Sequence, residues 1–113
     1  MKTVAIVDTS IFCNVLDIPH RNSERGQVIQ KLRDLLEEDT HLLLPMAAVY
    51  ETGNHIAQLN GGGKRRRFAE VFIKEVRKAI KGESPWQVME LPNMEEVGEW
   101  LRNFPDSAMR GAG

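Results

Sequence analysis

Cysteine is nearly absent: Cys13 stands alone in 113 residues. That excludes an internal disulfide and a thiolate-only metal site, and it suits a reducing compartment. Cys13 lies among apolar residues and reads as a small packed side chain rather than a nucleophile. Long apolar runs are missing too. The opening Met1-Lys2-Thr3-Val4 leads into a stretch too short for a signal peptide, and no run approaches a membrane span. The expectation is a cytoplasmic protein without a membrane partner. Charge of one sign is also lacking, since the net charge is −1. No global field draws nucleic acid or an anionic surface, so any such attraction must be local. Internal repeats and low-complexity linkers are absent, and the length allows one core, so residues 1–113 are read as a single domain.

What is present is the patterning of an ordinary globular chain, 42% hydrophobic and 27% charged. Val4-Ala5-Ile6-Val7 reads as a central strand buried on both faces. Asp8 follows at once, at the strand end where open α/β sheets do their chemistry. Thr9 and Ser10 can then cap a helix running to Leu16. Pro19 breaks a polar loop. Ser23 is the expected cap of a second helix, with Val28, Leu32, Leu35 and Leu36 on one face. His41-Leu42-Leu43-Leu44 reads as a short buried strand, and Pro45 suits the first turn of a third helix reaching about Leu59. Gly61, Gly62 and Gly63 break the chain before a fourth helix that starts near Lys64. Phe68, Val71, Phe72, Val76, Ala79 and Ile80 form its core face, and Gly82 terminates it. Residues 86–91 alternate as a third strand. A fifth helix opens with Asn93 and Glu96, carries Met94, Val97, Leu101 and Phe104 as its stripe, and ends at Pro105. Strands separated by helices argue for a parallel sheet.

Few positions carry chemistry. On the third helix Glu51, Asn54, His55 and Gln58 share a polar stripe, beside an apolar one of Met46, Val49, Tyr50, Gly53 and Ile56. If that helix starts just beyond the second strand, Glu51 lies near the edge that carries Asp8. Two carboxylates converging there would bind a hard cation such as Mg²⁺ or Mn²⁺ through oxygen; otherwise the stripe is a solvated face. His55 is a candidate contact to substrate or metal, or a surface histidine. Lys64-Arg65-Arg66-Arg67 is the one concentrated charge run. It either contacts a nucleic-acid backbone or is a solvated helix start, partly neutralised by Glu70 and Glu75.

Asp8-Thr9-Ser10 after a strand, with Glu51 in Ala48-Val49-Tyr50-Glu51-Thr52-Gly53, resembles the first two motifs of the PIN domain. That family comprises metal-dependent ribonucleases, many of them toxins of bacterial toxin–antitoxin pairs. The resemblance implies an α/β three-layer fold with a small parallel sheet flanked by helices. It implies that Asp8 and Glu51 help hold Mg²⁺ or Mn²⁺, and that Ser10 supports the site by hydrogen bonding. RNA is then the expected substrate and an antitoxin protein a candidate partner. PIN domains carry a third acidic motif followed by further strands. Met109-Arg110-Gly111-Ala112-Gly113 resembles the run-in to that motif, so the expectation is a domain covering the first two-thirds of the fold, with its C-terminal strands missing. Such a chain would be a weakened nuclease and would associate with a second copy through its open sheet edge. A non-catalytic PIN-like module binding RNA or protein is the alternative. A phosphoryl-accepting α/β domain fits less well, for Asp8 lacks a second aspartate two residues on and no glycine-rich loop follows the strand.

Overall fold

A computed structural model describes residues 3–89 together with Arg102 and Pro105. In chain order the elements are β1 (Val4–Ile6), α1 (Thr9–Val15), α2 (Arg25–Glu37), β2 (His41–Pro45), α3 (Met46–Ala57), α4 (Gly62–Ile80) and β3 (Trp86–Met89). The strands form one parallel sheet in the order β1-β2-β3. Val4 pairs with His41 and Ile6 with Leu43, while Leu42 pairs with Trp86 and Pro45 with Met89. Parallel neighbours require crossovers, which the helices supply. The chain is thus α/β, with a small parallel sheet and, among the described residues, four helices.

The core forms where the apolar runs meet. Phe12, Ile18 and Leu44 are fully buried, and Val7 and Cys13 nearly so. Phe12 bridges two other rings, edge-on to Trp86 at 6.0 Å between centroids and tilted to Phe72 of α4 at 6.4 Å. Such pairs add ~0.5–1.5 kcal/mol each beyond the area they bury. A Cβ added at Gly53 would meet the Phe72 ring at 3.6 Å, ordinary van der Waals contact, so α3 and α4 approach closely there. On α2, Leu32 is buried, and Val28 and Leu35 pack against the core.

Several expectations need correcting. Val4 and Ile6 are 54% and 49% exposed rather than buried on both faces, because β1 lies at the edge of the sheet that the described residues form, where the expected lack of C-terminal strands would leave it. Only Val7, which donates its N–H to Leu43 O at 2.7 Å, has the burial the run suggested. Asp8, not Thr9 or Ser10, caps α1. Ser23 caps nothing: Glu24 is the residue ahead of α2, and its side chain makes no capping bond. Leu36, Tyr50, Val71 and Ile80 are exposed despite their places in apolar stripes. The glycine break is shorter than expected, since α4 already begins at Gly62 and only Gly61, at φ 94°, stays outside it. Gly82 does adopt the positive φ, 76°, that suits a terminator after α4. The end of the third strand and most of the expected fifth helix lie outside the described residues. Arg102 and Pro105 are helical, and where that helix ends lies outside the described residues.

Candidate functional site

Both singled-out carboxylates come to the carboxyl end of the sheet. Asp8 follows β1 and Val7 directly, in extended conformation (φ −78°, ψ 178°), and its Oδ1 accepts the Ile11 N–H at 2.9 Å. This bond satisfies a backbone donor that a helix start would otherwise leave unpaired. It also fixes the side chain over the first turn of α1. Glu51 sits in the second turn of α3, which begins immediately after β2. Thr9, next to Asp8 in the chain, donates its hydroxyl to Glu51 Oε2 at 2.5 Å. A charge-assisted bond of that length ties the two helix starts together. Glu51 is thus tied to the residue that follows Asp8, while the Asp8 side chain turns to the Ile11 N–H. Both carboxylates are exposed.

Ser10, the residue expected to support the site, is exposed; its carbonyl accepts the Asn14 side chain at 3.0 Å. The hydroxyl that reaches Glu51 belongs instead to Thr9. On a helix, neighbouring residues diverge by about 100°, and here that angle decides which of the two faces α3.

A polar cleft of about 490 Å³ opens beside Thr9 and Glu51, between α1, α3 and the loop that joins α1 to α2; Asp8 does not line it. Thr9, Ser10 and Asn14 line it from α1, Glu51 and His55 from α3, and His20, Arg21, Ser23 and Glu24 from the loop. Cys13 reaches it too while staying 1% exposed. Burial pushes the Cys13 thiol above its ordinary range and Asp8 adds to this; the Thr52 hydroxyl and the Arg21 charge oppose it. The net effect keeps the thiol protonated, in keeping with a packed rather than nucleophilic cysteine. His55 Nδ1 is buried without a hydrogen-bond partner.

The basic run takes its place at the start of α4. Arg65 donates to Leu59 O at 2.9 Å, satisfying a carbonyl beyond the end of α3. Arg66 pairs with Glu70 at 3.2 Å, and the Arg67 guanidinium lies 5.6 Å from the Phe68 ring centroid. All four side chains are exposed, and none lines the cleft.

The donor set at Asp8, Thr9 and Glu51 is all oxygen, the chemistry that Mg²⁺ and Mn²⁺ prefer. Mg²⁺ commonly takes one or two carboxylates and keeps several waters. Asp8 and Glu51 supply that donor type, one carboxylate at the start of α1 and one on α3. Among the described residues no group of three or more His, Cys, Asp or Glu side chains gathers to hold one.

No protein-family model, curated protein or solved structure matches this chain. The likeness to PIN domains rests on the two motifs and on the order of strands and helices.

Of the residues that line the cleft, sequence reasoning singled out Ser10, Glu51 and His55 but not Asn14, His20, Arg21, Ser23 or Glu24; Asp8, singled out as well, does not line it. Asn14 did carry a signal, being the one amide in the apolar run Ile11-Phe12-Cys13-Asn14-Val15-Leu16. It is buried, and its amide joins Ser10 O to the Glu24 N–H. His20 and Arg21 gave no such signal, since a polar loop after a proline has no periodicity to read.

Proposed function

We propose that this chain is a PIN-type, metal-dependent ribonuclease domain that hydrolyses phosphodiester bonds in RNA. The observation that supports the reading is the hydrogen bond to Glu51 from Thr9, the residue after Asp8, at the carboxyl end of a parallel sheet. Asp8 and Glu51 would hold the Mg²⁺ or Mn²⁺ ion. When bound, such an ion supplies Lewis-acid polarisation of the scissile phosphate and lowers the pKa of an attacking water. The chain's own residues do the rest. Asp8 keeps its orientation because one carboxylate oxygen is committed to the Ile11 N–H, which leaves the second free. Thr9 holds Glu51 in place and satisfies one lone pair of its carboxylate. The cleft beside Thr9 and Glu51, lined by α1 and α3, is where the RNA would lie.

The exposed basic residues at the start of α4 are assigned to RNA contact outside the cleft. Charge reversal at Arg66 and Arg67 should weaken RNA binding alike for all sequences and flatten its salt dependence. Arg65 is less suited to that experiment, because its bond to Leu59 O also holds the end of α3. The toxin role, with an antitoxin protein as partner, belongs to the same reading. So does self-association through the β1 edge, where Val4 and Ile6 are exposed. Light scattering over a range of concentrations tests association. No described helix is long and apolar enough to cross a membrane.

The deciding experiment is calorimetric titration of Mn²⁺ into the chain and its Asp8→Asn and Glu51→Gln variants. Binding that both substitutions abolish is the expected result; identical binding in all three removes the basis of the proposal.

A further inference from the structure

We propose that Arg21, with His20 and His55, forms a phosphate-holding wall of the cleft, gripping the backbone of single-stranded RNA beside Glu51. This rests on the ribonuclease reading above and adds a contact that neither motif contains.

The loop bearing Arg21 is held from several sides. Ile18, fully buried, pins it to the core. The Ile18 N–H donates to Cys13 O at 3.1 Å, and the Arg21 N–H to Ile18 O at 3.0 Å. Asn22 donates to Asp17 Oδ1 at 2.8 Å, and the Asn14 Oδ1 accepts the Glu24 N–H at 3.1 Å. Arg21 therefore meets the cleft from a fixed backbone, which reduces the ordering cost of gripping a ligand. Unlike Arg25 and Arg66, which pair with Asp17 and Glu70, Arg21 has no ion-pair partner among the described residues. Across the cleft, His55 Nδ1 is buried with nothing to bond. A guanidinium with free donors lining the cleft suits a phosphodiester, which accepts on two oxygens. The cleft's volume, about 490 Å³, is of the size that holds one small ligand.

Charge sets a condition. Arg21 faces two carboxylates in the same cleft, Glu24 and Glu51. Without a divalent cation the cleft is net negative and repels phosphate, so Arg21 acts on RNA only when a cation offsets those charges.

Fluorescence anisotropy with a fluorescein-labelled oligouridylate tests this on the full chain, in Ca²⁺ to suppress turnover and again in EDTA. In Ca²⁺, Arg21→Gln should weaken binding about tenfold and reduce the magnitude of the salt slope by about 0.7, one phosphate contact. Arg21→Lys should retain part of the affinity, since it keeps the charge but not the fork. In EDTA, Arg21→Gln should match the wild type. Arg33→Gln, an exposed arginine on α2 outside the cleft, should leave the Ca²⁺ affinity unchanged. The proposal is overturned if Arg21→Gln binds like wild type in Ca²⁺, if Arg33→Gln loses as much, or if the wild type fails to bind the RNA. Mn²⁺ titration separates the two readings. If Asp8→Asn abolishes Mn²⁺ binding while Arg21→Gln leaves RNA affinity intact, only the present inference fails. If Mn²⁺ does not bind the wild type, the ribonuclease reading fails and this one with it.

Discussion

Asp8 has two jobs that two substitutions can separate. As the cap of α1 it needs only an acceptor oxygen facing the Ile11 N–H. As a cation ligand it needs charge. Asparagine caps about as well as aspartate, whereas alanine at such a position costs ~1 kcal/mol, within a range of about 0.5–2. Asp8→Asn also loses the favourable placement of a negative charge at a helix start, ~0.3–1 kcal/mol. The low end applies, because α1 has only 7 residues and the carboxylate is exposed. In a domain of this size 1 kcal/mol moves Tm by roughly 4 °C or somewhat more. Thermal unfolding followed by circular dichroism, without divalent metal, should therefore place Asp8→Asn within about 2 °C of wild type and Asp8→Ala about 4 °C or more below it. Adding Mn²⁺ at a hundredfold excess over Kd should stabilise the wild type by about 2.7 kcal/mol. Neither variant should gain comparably. Equal metal-free losses in both variants would refute the capping argument. A full Mn²⁺ shift in Asp8→Asn would refute the metal-ligand argument, whatever the metal-free values.

Phe12→Ala removes a fully buried ring that touches Phe72 and Trp86. The loss should be ~3–5 kcal/mol by urea denaturation, enough to leave much of the chain unfolded. Thr9→Val deletes the donor to Glu51, while Thr9→Ser keeps it. Mn²⁺ affinity should fall in the first and hold in the second, and equal affinities would remove Thr9 from the site. Cys13 binds its proton more tightly folded than unfolded, because burial raises its pKa. Its contribution is therefore complete below the unfolded value of about 8.5 and declines as pH rises from there through the folded value. Urea midpoints between pH 7 and pH 10 should fall more steeply for wild type than for Cys13→Ala, and parallel curves would contradict the assignment.

Much of this architecture was legible because local chemistry and tertiary demand coincide. Val4-Ala5-Ile6-Val7 favoured an extended chain and Gly82 could take the positive φ that follows α4, while Pro45, expected in the first turn of α3, instead ends β2 and stands as the N-cap before that helix. The Asp8 and Glu51 positions were readable for the same reason. Each stands at a fixed distance from the end of its strand, and parallel strands bring those ends to one side. What the sequence could not carry is anything that depends on a partner far along the chain. Residues 4–7 have the composition of a central strand, yet exposure at Val4 and Ile6 was decided by which strands pair, a property of the whole sheet. Thr9 and Ser10 are equally good hydroxyls; only the orientation of α1 against α3 gives Glu51 to Thr9. Arg21 and His20 lie in a loop without periodicity, and they join the cleft because buried Ile18 and Asn14 fold that loop back across α1. Strand and helix arise from neighbours in sequence, but edge exposure, hydroxyl choice and cleft lining arise from packing, which acts between residues the sequence keeps apart.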